Sequence, residues 1–346
     1  MSDSIIFDPN GPAGENSGIF GLPYSKEQAQ MVLYPVTWDV SVSYAAGTSD
    51  GPEAILEASK QVDLFLRDVP QAWNNRIYME PINENLFQKS KTERVKAEKY
   101  IDLVMNDPQV AENAEANALQ KELNAVCQEM VDVVYQNTSQ LLAEGKMVGL
   151  IGGDHSTPYG FLKALAEKHS FSILQFDAHC DLRKAYEGFT YSHASIMYNA
   201  MQIENIQKLV QVGIRDWCQE EQDEIDQSNG RIVAYFDECL KDDLHSGKSW
   251  DAICDDIIAQ LTDKVYISFD IDAFDPKLCP NTGTPVPGGL EFYQALSLIK
   301  KLVKSGKKII GFDVVEVAPG NDEWDANVGA RLIYQIANQI FINHKK

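Results

Sequence analysis

The sequence predicts an α/β fold, a three-layer α/β/α sandwich built on a mainly parallel sheet. Four short apolar runs have the length and composition of buried strands, at 147–151, 171–176, 265–269 and 308–315. Amphipathic stretches typical of helices alternate with these runs, as at 292–305 and 326–343. Because strand–helix–strand crossovers are right-handed, this order places helices on both faces of a parallel sheet.

Acidic and histidine residues follow three of the four runs. These residues are His155, Asp177, His179, Asp181, Asp270 and Asp272. Ligands of open α/β sheets bind beyond the carboxyl ends of the strands, so the sequence predicts one cluster there. Two divalent cations would neutralise the four carboxylates, which would otherwise repel one another.

The donor types narrow the choice of metal. Carboxylate and imidazole ligands favour Mn²⁺, with Ni²⁺, Co²⁺ or Fe²⁺ as further options, and a cysteine pair typical of structural zinc is missing from the motifs. Two bridged ions roughly 3.5 to 4 Å apart lower the pKa of a shared water toward neutrality. The cluster therefore predicts a hydrolase.

Taken alone, each motif has other interpretations. Asp270 and Asp272 also fit a phosphatase-type motif, a magnesium site or a solvated strand end, and the glycines at 152–153 fit a tight turn. Residues 177–181 are more specific, since alternation along an extended chain would place their three charged side chains on one face. The same alternation turns Cys180 away from the metals, so we do not expect it to be a ligand.

The chain resembles the ureohydrolases, the family of arginase, agmatinase, guanidinobutyrase and formiminoglutamase. The strings that carry the resemblance are GGDHS at 152–156, DAHCD at 177–181, SFDIDAFDP at 268–276, TGTPVPGG at 282–289 and GFDVVEV at 311–317, with an early loop at 40–52. The resemblance runs from about Pro35 to the C-terminal region. The resemblance does not cover a segment near 83–145. The sequence of this segment predicts charged amphipathic helices with a loop at 106–117, an addition that is atypical of the family.

The resemblance implies two manganese ions per chain. One would be held by His155, Asp177, Asp181 and Asp270, and the other by Asp177, His179, Asp270 and Asp272. Asp181 would also orient a bridging hydroxide and pass a proton to the leaving amine, while Glu316 would pair with the substrate guanidinium. A guanidinium suits a carboxylate because its N–H groups form a fork.

His193 matches the position of a proton-shuttling histidine in arginases and agmatinases. From the residues alone, a structural or exposed histidine is the more common case. The resemblance implies the catalytic role and makes a formiminoglutamase, which lacks this histidine, less expected.

The loop at 181–195 resembles agmatinases more than arginase. We therefore expect hydrolysis of agmatine to putrescine and urea, a step of polyamine biosynthesis, with arginine or guanidinobutyrate as alternative substrates. Arg183 and Lys184 remain possible partners for a substrate carboxylate. Glu187 either faces an ammonium tail or is a solvated loop acid.

The composition of the chain indicates which partners and which cellular compartment to expect. A formal charge of −21 over 346 residues disfavours nucleic acid and anionic membranes and is compatible with a small cationic guanidino substrate. Scattered cysteines and a start at Met1 without a signal-peptide pattern predict a cytoplasmic protein, and the longest apolar run is too short to cross a bilayer. We expect one domain over 1–346 and, by resemblance, a homo-oligomer, either a trimer or a hexamer.

Two competing classes differ in testable ways. A deacetylase-like amide hydrolase of related fold would use one zinc and leave several of these ligands without a role. A catalytically silent binding protein would keep the fold without chemistry, but it would have no chemical reason to retain the full ligand set with His193 and Glu316.

Overall fold

The computed structural model describes residues 7–14 and 17–345. Residues 1–6, where the sequence argues against a signal peptide, lie outside the described range. The described residues contain one sheet of eight parallel strands in the order β2-β1-β3-β8-β7-β4-β5-β6. The strands are β1 Met31–Val36, β2 Ile77–Met79, β3 Met147–Gly152, β4 Phe171–Phe176, β5 Ile206–Ile214, β6 Ile232–Phe236, β7 Lys264–Asp270 and β8 Lys308–Val315.

Helices cover both faces of this sheet. They are α1 Gly51–Ser59, α2 Glu84–Asn106, α3 Ala114–Ala143, α4 Tyr159–Ala166, α5 Ile196–Met201, α6 Gln219–Gln227, α7 Asp237–His245, α8 Trp250–Gln260, α9 Phe292–Lys304 and α10 Trp324–Lys345. Along β1, Met31 and Leu33 belong to one apolar core with α1 and α7 to α10, whereas Val32 and Tyr34 belong to another with α2 to α5. The predicted three-layer sandwich is therefore confirmed.

The four predicted strands are the four central ones, β3, β8, β7 and β4. They are buried almost throughout because a parallel sheet is covered on both faces, which explains their continuous apolar runs. In the register of the sheet, Ile151 lies beside Val314 and Asp270 beside Val315. Their carboxyl ends therefore open at one edge of the sheet.

The segment near 83–145 forms the long helices α2 and α3. The side chain of Asn83 caps α2 by accepting from Leu86 N at 3.2 Å. Asn113 caps α3 by accepting from Ala116 N at 3.2 Å, so α3 begins inside the loop that the sequence predicts at 106–117. Helix α3 packs closely on α4 because Gly160 of α4 has no side chain. A Cβ atom added at Gly160 would lie 2.4 Å from the Val131 carbonyl oxygen of α3.

No helix among the described residues combines the length and the apolar character that crossing a membrane requires.

Candidate metal centre

Three strand ends bring the predicted metal ligands together. His155 follows β3, Asp177 and Asp181 follow β4, and Asp270 ends β7. His155 Nδ1 lies 3.0 Å from Asp177 Oδ2, 2.9 Å from Asp181 Oδ2 and 3.4 Å from Asp270 Oδ2. These four side chains are buried, so their charges face one another instead of water.

A second group adjoins the first. His179 Nδ1 lies 3.0 Å from Asp272 Oδ2 and 3.5 Å from Asp177 Oδ1. The two oxygens of Asp177 thus face different histidines, His155 and His179. Two sets have donor atoms within 4.8 Å of one another, namely His155, Asp177 and Asp270, and Asp177, His179 and Asp272. Asp177 belongs to both sets, an arrangement that would let two neighbouring cations share one carboxylate.

The local backbone differs from the extended chain that the sequence predicts at 177–181. Strand β4 ends at Phe176, and Asp177 Oδ1 accepts from His179 N at 2.7 Å, which closes a side-chain turn. Asp181 has a φ of 54°, in the left-handed region. The expectation that strand alternation places the three side chains on one face was therefore wrong; the turn and the left-handed residue bring them together.

The same kind of turn shapes the motif after β7. Asp270 Oδ1 accepts from Asp272 N at 2.8 Å, and a turn of 3₁₀ helix follows at Ile271–Ala273. Asp272 Oδ1 accepts from Ala178 N at 3.0 Å, which joins this motif to the turn after β4. Hydrogen bonds made by the carboxylates themselves therefore hold both acidic motifs in place.

A hydrogen-bonded chain behind His155 assigns its protons. Ser268 Oγ donates to Asp313, with distances of 2.9 and 3.1 Å to the two carboxylate oxygens. Since the hydroxyl has one hydrogen, Ser268 must accept from His155 Nε2, which lies 2.9 Å away. In the neutral ring, Nδ1 is then left with a free lone pair directed at the carboxylate cluster.

His155 Nδ1 gives an independent indication of a cation site. This buried nitrogen has no well-directed hydrogen bond within the described residues, although three carboxylate oxygens surround it. Carboxylates with imidazole form a hard donor set that suits Mn²⁺ and similar divalent ions. The residues present therefore fit two divalent cations.

The acids of the cluster have perturbed pKa values. Burial and the neighbouring Asp177 raise the pKa of Asp181 to about 7. Burial and the charge of Asp272 raise the pKa of Asp270 well above its usual value. Burial opposes ionisation of Asp177 as well, but its contacts with His155 and His179 outweigh burial and lower its pKa. Without bound positive charge, repulsion among these buried carboxylates lowers the stability of the folded chain.

A profile of the arginase family matches residues 29–339 of the chain. The chain belongs to the arginase family. An N(1)-aminopropylagmatine ureohydrolase of Thermus thermophilus is 32% identical over 320 residues, which cover 91% of this chain and 92% of that protein. An agmatinase of Proteus mirabilis is 31% identical over 312 residues, 88% of this chain and 84% of the relative.

The solved structures agree on the fold. The agmatine ureohydrolase of Thermoplasma volcanium superposes with a TM-score of 0.73 at 21% identity, covering 95% of this chain and 96% of the other. The chain is thus an arginase-family ureohydrolase, from a family of binuclear metal enzymes, with His155, Asp177 and Asp270 as one possible metal site.

The other two predicted catalytic residues of this ureohydrolase flank the cluster. Glu316 follows β8 with a φ of 61°, and its Oε1 accepts from His155 N at 2.8 Å. His193 Nδ1 lies 3.1 Å from the Ser41 carbonyl oxygen, and its backbone N–H donates to Ser41 Oγ at 3.1 Å. Burial, followed by the nearby positive charge of His179, lowers the pKa of His193 to about 4. His193 is therefore neutral near pH 7.

The neutral state of His193 fixes which nitrogen holds its proton. A carbonyl oxygen only accepts hydrogen bonds, so Nδ1 carries the hydrogen and donates it to Ser41. The Nε2 atom is then an unprotonated base. This is the form that a group taking up a proton requires.

The loop at 181–195 has its cations turned toward α6. Lys184 Nζ lies 2.5 Å from Glu224 Oε1, and Arg183 Nε lies 3.8 Å from Glu221 Oε2. The Arg183 guanidinium also stacks on Tyr186, 4.6 Å from the ring centre. Glu187 instead accepts from Ser43 Oγ at 2.9 Å and forms no ion pair with any part of the chain that the structure describes.

Sequence reasoning missed the residues that support this site. Asp154, which accepts from Ser41 Oγ at 3.1 Å, lies inside the motif at 152–156, and Asp313 lies inside the motif at 311–317. An acid within an apolar strand, as at Asp313, is a signal that the sequence offers. Ser268 begins the motif at 268–276, where its residue type alone predicts no role. Arg94 on α2, whose guanidinium donates to the Val40 and Val42 carbonyl oxygens, carries no such signal, since one arginine in a charged helix resembles any surface residue.

Proposed function

We propose that this ureohydrolase hydrolyses agmatine to putrescine and urea with two Mn²⁺ ions per chain. The observation that carries the substrate choice is the charge arrangement of the loop at 181–195. Arg183 and Lys184 of this loop pair with Glu221 and Glu224. The carboxylate of Glu187, which accepts from the Ser43 hydroxyl, can instead pair with a cationic group of the substrate. Agmatine ends in an ammonium group, while arginine and guanidinobutyrate carry a carboxylate that would lack a partner there.

The surroundings of Glu187 suit this role. Its side chain is half-buried, and burial raises its pKa, while the Ser43 hydroxyl and the charges of Arg94 and Arg183 oppose that rise. A bound ammonium would stabilise the ionised carboxylate further. Tyr186, next to Glu187, places its ring 6.3 Å from that of His193, which joins the loop to the catalytic groups.

The chain's own groups suit guanidinium hydrolysis. Two bound divalent ions supply a water of lowered pKa as nucleophile. Glu316 binds the guanidinium of the substrate through its carboxylate, and Asp181 orients the attacking water. Asp181 also passes a proton from the attacking water to the departing amine. His193 Nε2 takes up a further proton and delivers it to the same amine, which leaves as putrescine while urea remains.

A second substrate has a specific observation in its favour. The relative at 32% identity and 91% coverage is named an N(1)-aminopropylagmatine ureohydrolase. That compound carries an aminopropyl extension with one more amine than agmatine, and a site that offers an acid to the tail suits it as well. It is the same reaction on a longer polyamine.

A urea-release screen tests the proposal. The Mn²⁺-loaded protein is assayed with agmatine, N(1)-aminopropylagmatine, arginine, 4-guanidinobutyrate and free guanidine. We expect the highest kcat/KM for one of the two amine-tailed compounds, by about a thousandfold over arginine, since an unpaired buried charge costs several kcal/mol. A higher value for arginine or guanidinobutyrate would refute the substrate choice, and no urea from any compound would favour the silent homologue.

A further inference from the structure

Arg94 on α2 is a buried cation that binds backbone carbonyls. Its side chain is 9% exposed, and its NH1 group donates to the carbonyl oxygens of Val40, at 3.2 Å, and of Val42. Its ion-pair partner Glu98 is 57% exposed, so the pair adds little stability. The buried end of this guanidinium thus holds a loop at 39–43.

A second contact from α2 holds the same loop. Ser90, one helical turn before Arg94, donates its hydroxyl to Asp39 Oδ1 at 3.2 Å and accepts from Asp39 N at 3.1 Å. The spacing of four residues places Ser90 and Arg94 on one face of α2. Helix α2 therefore fixes the loop on both sides of Val40.

Ser41 is the residue of this loop that contacts His193. The Val40 and Val42 carbonyls face Arg94, whereas the Ser41 carbonyl between them accepts from His193 Nδ1 at 3.1 Å. Ser41 Oγ accepts from His193 N and donates to Asp154 Oδ2, both at 3.1 Å. The position and the tautomer of His193 therefore both depend on where the loop holds Ser41.

We propose that Arg94 is a positioning residue for His193, acting through the Val40 and Val42 carbonyls and through Ser41. This inference rests on the proposed acid–base role of His193 and is independent of which guanidino compound is the substrate. Without the guanidinium, two buried carbonyls lose a charged donor and the loop can rotate. Because proton transfer requires hydrogen-bond reach, a displacement of about 1 Å costs roughly a hundredfold in rate.

A double-mutant cycle tests this coupling. Arg94→Met is introduced into the wild type and into His193→Ala, both loaded with Mn²⁺ and assayed on the best substrate of the urea-release screen. In the wild-type background we expect kcat to fall about 10- to 100-fold, with KM and the content of two ions nearly unchanged. In the His193→Ala background we expect Arg94→Met to change kcat less than twofold, because the group that it positions is already missing.

The same helix offers a matched control. Lys99 lies on α2, is 57% exposed and pairs with Glu115. Lys99→Met should leave kcat unchanged in both backgrounds. Arg94→Lys, which keeps the charge but loses the fork of donors, should give an intermediate kcat.

Three results would overturn the proposal. Equal loss from Arg94→Met in both backgrounds would mean a general structural role, and no loss in the wild type would mean that Arg94 is dispensable. Full activity of His193→Ala would mean that His193 has no acid–base role, so Arg94 would have no catalytic group to position. If Arg94→Met does not fold, Arg94→Lys replaces it in the cycle, with a smaller fall in kcat in the wild type and a change of less than twofold in His193→Ala. Failure of the proposed reaction is distinct, since the wild type would then release no urea from any compound. Failure of the substrate choice alone would leave the cycle measurable on whichever compound is hydrolysed best.

Discussion

Ser268 Oγ lies 2.9 Å from His155 Nε2, and the same hydroxyl donates to Asp313. The chain of hydrogen bonds holds the proton of His155 on Nε2 and leaves Nδ1 facing three carboxylates. The protein's own hydrogen bonds thus orient the ring. Hydrogen bonds to a ligating histidine affect both the orientation of the ring and the affinity of the site for its metal.

Ser268→Ala should weaken metal binding. Removal of the hydroxyl leaves His155 Nε2 and Asp313 without their shared partner, so we expect about a 10- to 100-fold loss of affinity for one of the two ions. Competition with a chelator of known affinity measures it. Ser172→Ala is the matched control, because Ser172 is equally buried but bonds to Thr262 and to the Lys264 carbonyl. Equal affinity of wild type and Ser268→Ala would contradict the prediction.

Metal content should be two divalent ions per chain after reconstitution. Their removal should lower the melting temperature, because bound ions stabilise the folded state and their loss exposes buried acids to mutual repulsion. Elemental analysis and calorimetry of loaded and chelated protein measure both effects. Active protein that contains one ion or none per chain would contradict the prediction.

Asp272→Ala should release the ion of the second group. The substitution removes a carboxylate 3.0 Å from His179 Nδ1, and we expect activity to fall by several orders of magnitude. Cys180→Ala is the control, since this thiol is fully buried beside the ligands but belongs to neither group. It should retain both ions, as measured by elemental analysis. A metal-free Cys180→Ala protein would show that the thiol is a ligand after all.

His193→Ala should keep both ions and lose turnover. Loss of one acid–base group costs roughly 10² to 10⁴ in kcat, because the leaving amine then departs without its proton. Urea release measures kcat, and elemental analysis confirms that the metals remain. Loss of metal from this variant would instead make His193 a ligand.

His193 should also make stability depend on pH. Its pKa is lowered to about 4 in the folded chain, against a usual value near 6.5, so between these values the unfolded state binds a proton that the folded state does not. The contribution of His193 is therefore fully present above about pH 6.5 and is lost as the pH falls toward 4. Denaturant unfolding of chelated wild type and His193→Asn over this range measures the difference. Parallel pH profiles for the two proteins would contradict the shift.

Glu187→Gln should change substrate preference. Without the carboxylate, kcat/KM for agmatine should fall about 10- to 100-fold, the worth of one hydrogen bond to a charged group, and that for guanidinobutyrate should not fall. Glu112→Gln, an exposed acid after α2, is the control and should alter neither value. An equal fall for both compounds would argue that Glu187 supports the loop without contacting the tail.

The sequence by itself determined the layers and the acidic edge of the fold. Strands β3, β4, β7 and β8 could be predicted because a parallel strand covered on both faces is a continuous apolar run, a local property. The acids and histidines after those runs had to meet at one edge, since the ends of adjacent parallel strands do. For this reason six ligand candidates could be named from the sequence alone, whereas the roles of His193 and Glu316 came from the resemblance to the ureohydrolases.

Only the tertiary structure decided how those residues are oriented. The left-handed backbone at Asp181 and the turn after β4 replace the alternation that a strand would give. The proton position of His155 depends on Ser268, 113 residues away. Arg183 and Lys184 pair with α6, and Arg94 holds the loop at 39–43 that contains Ser41. Both arrangements are contacts between distant segments. Such contacts follow from packing and not from local periodicity, so no pattern within the motifs could reveal them.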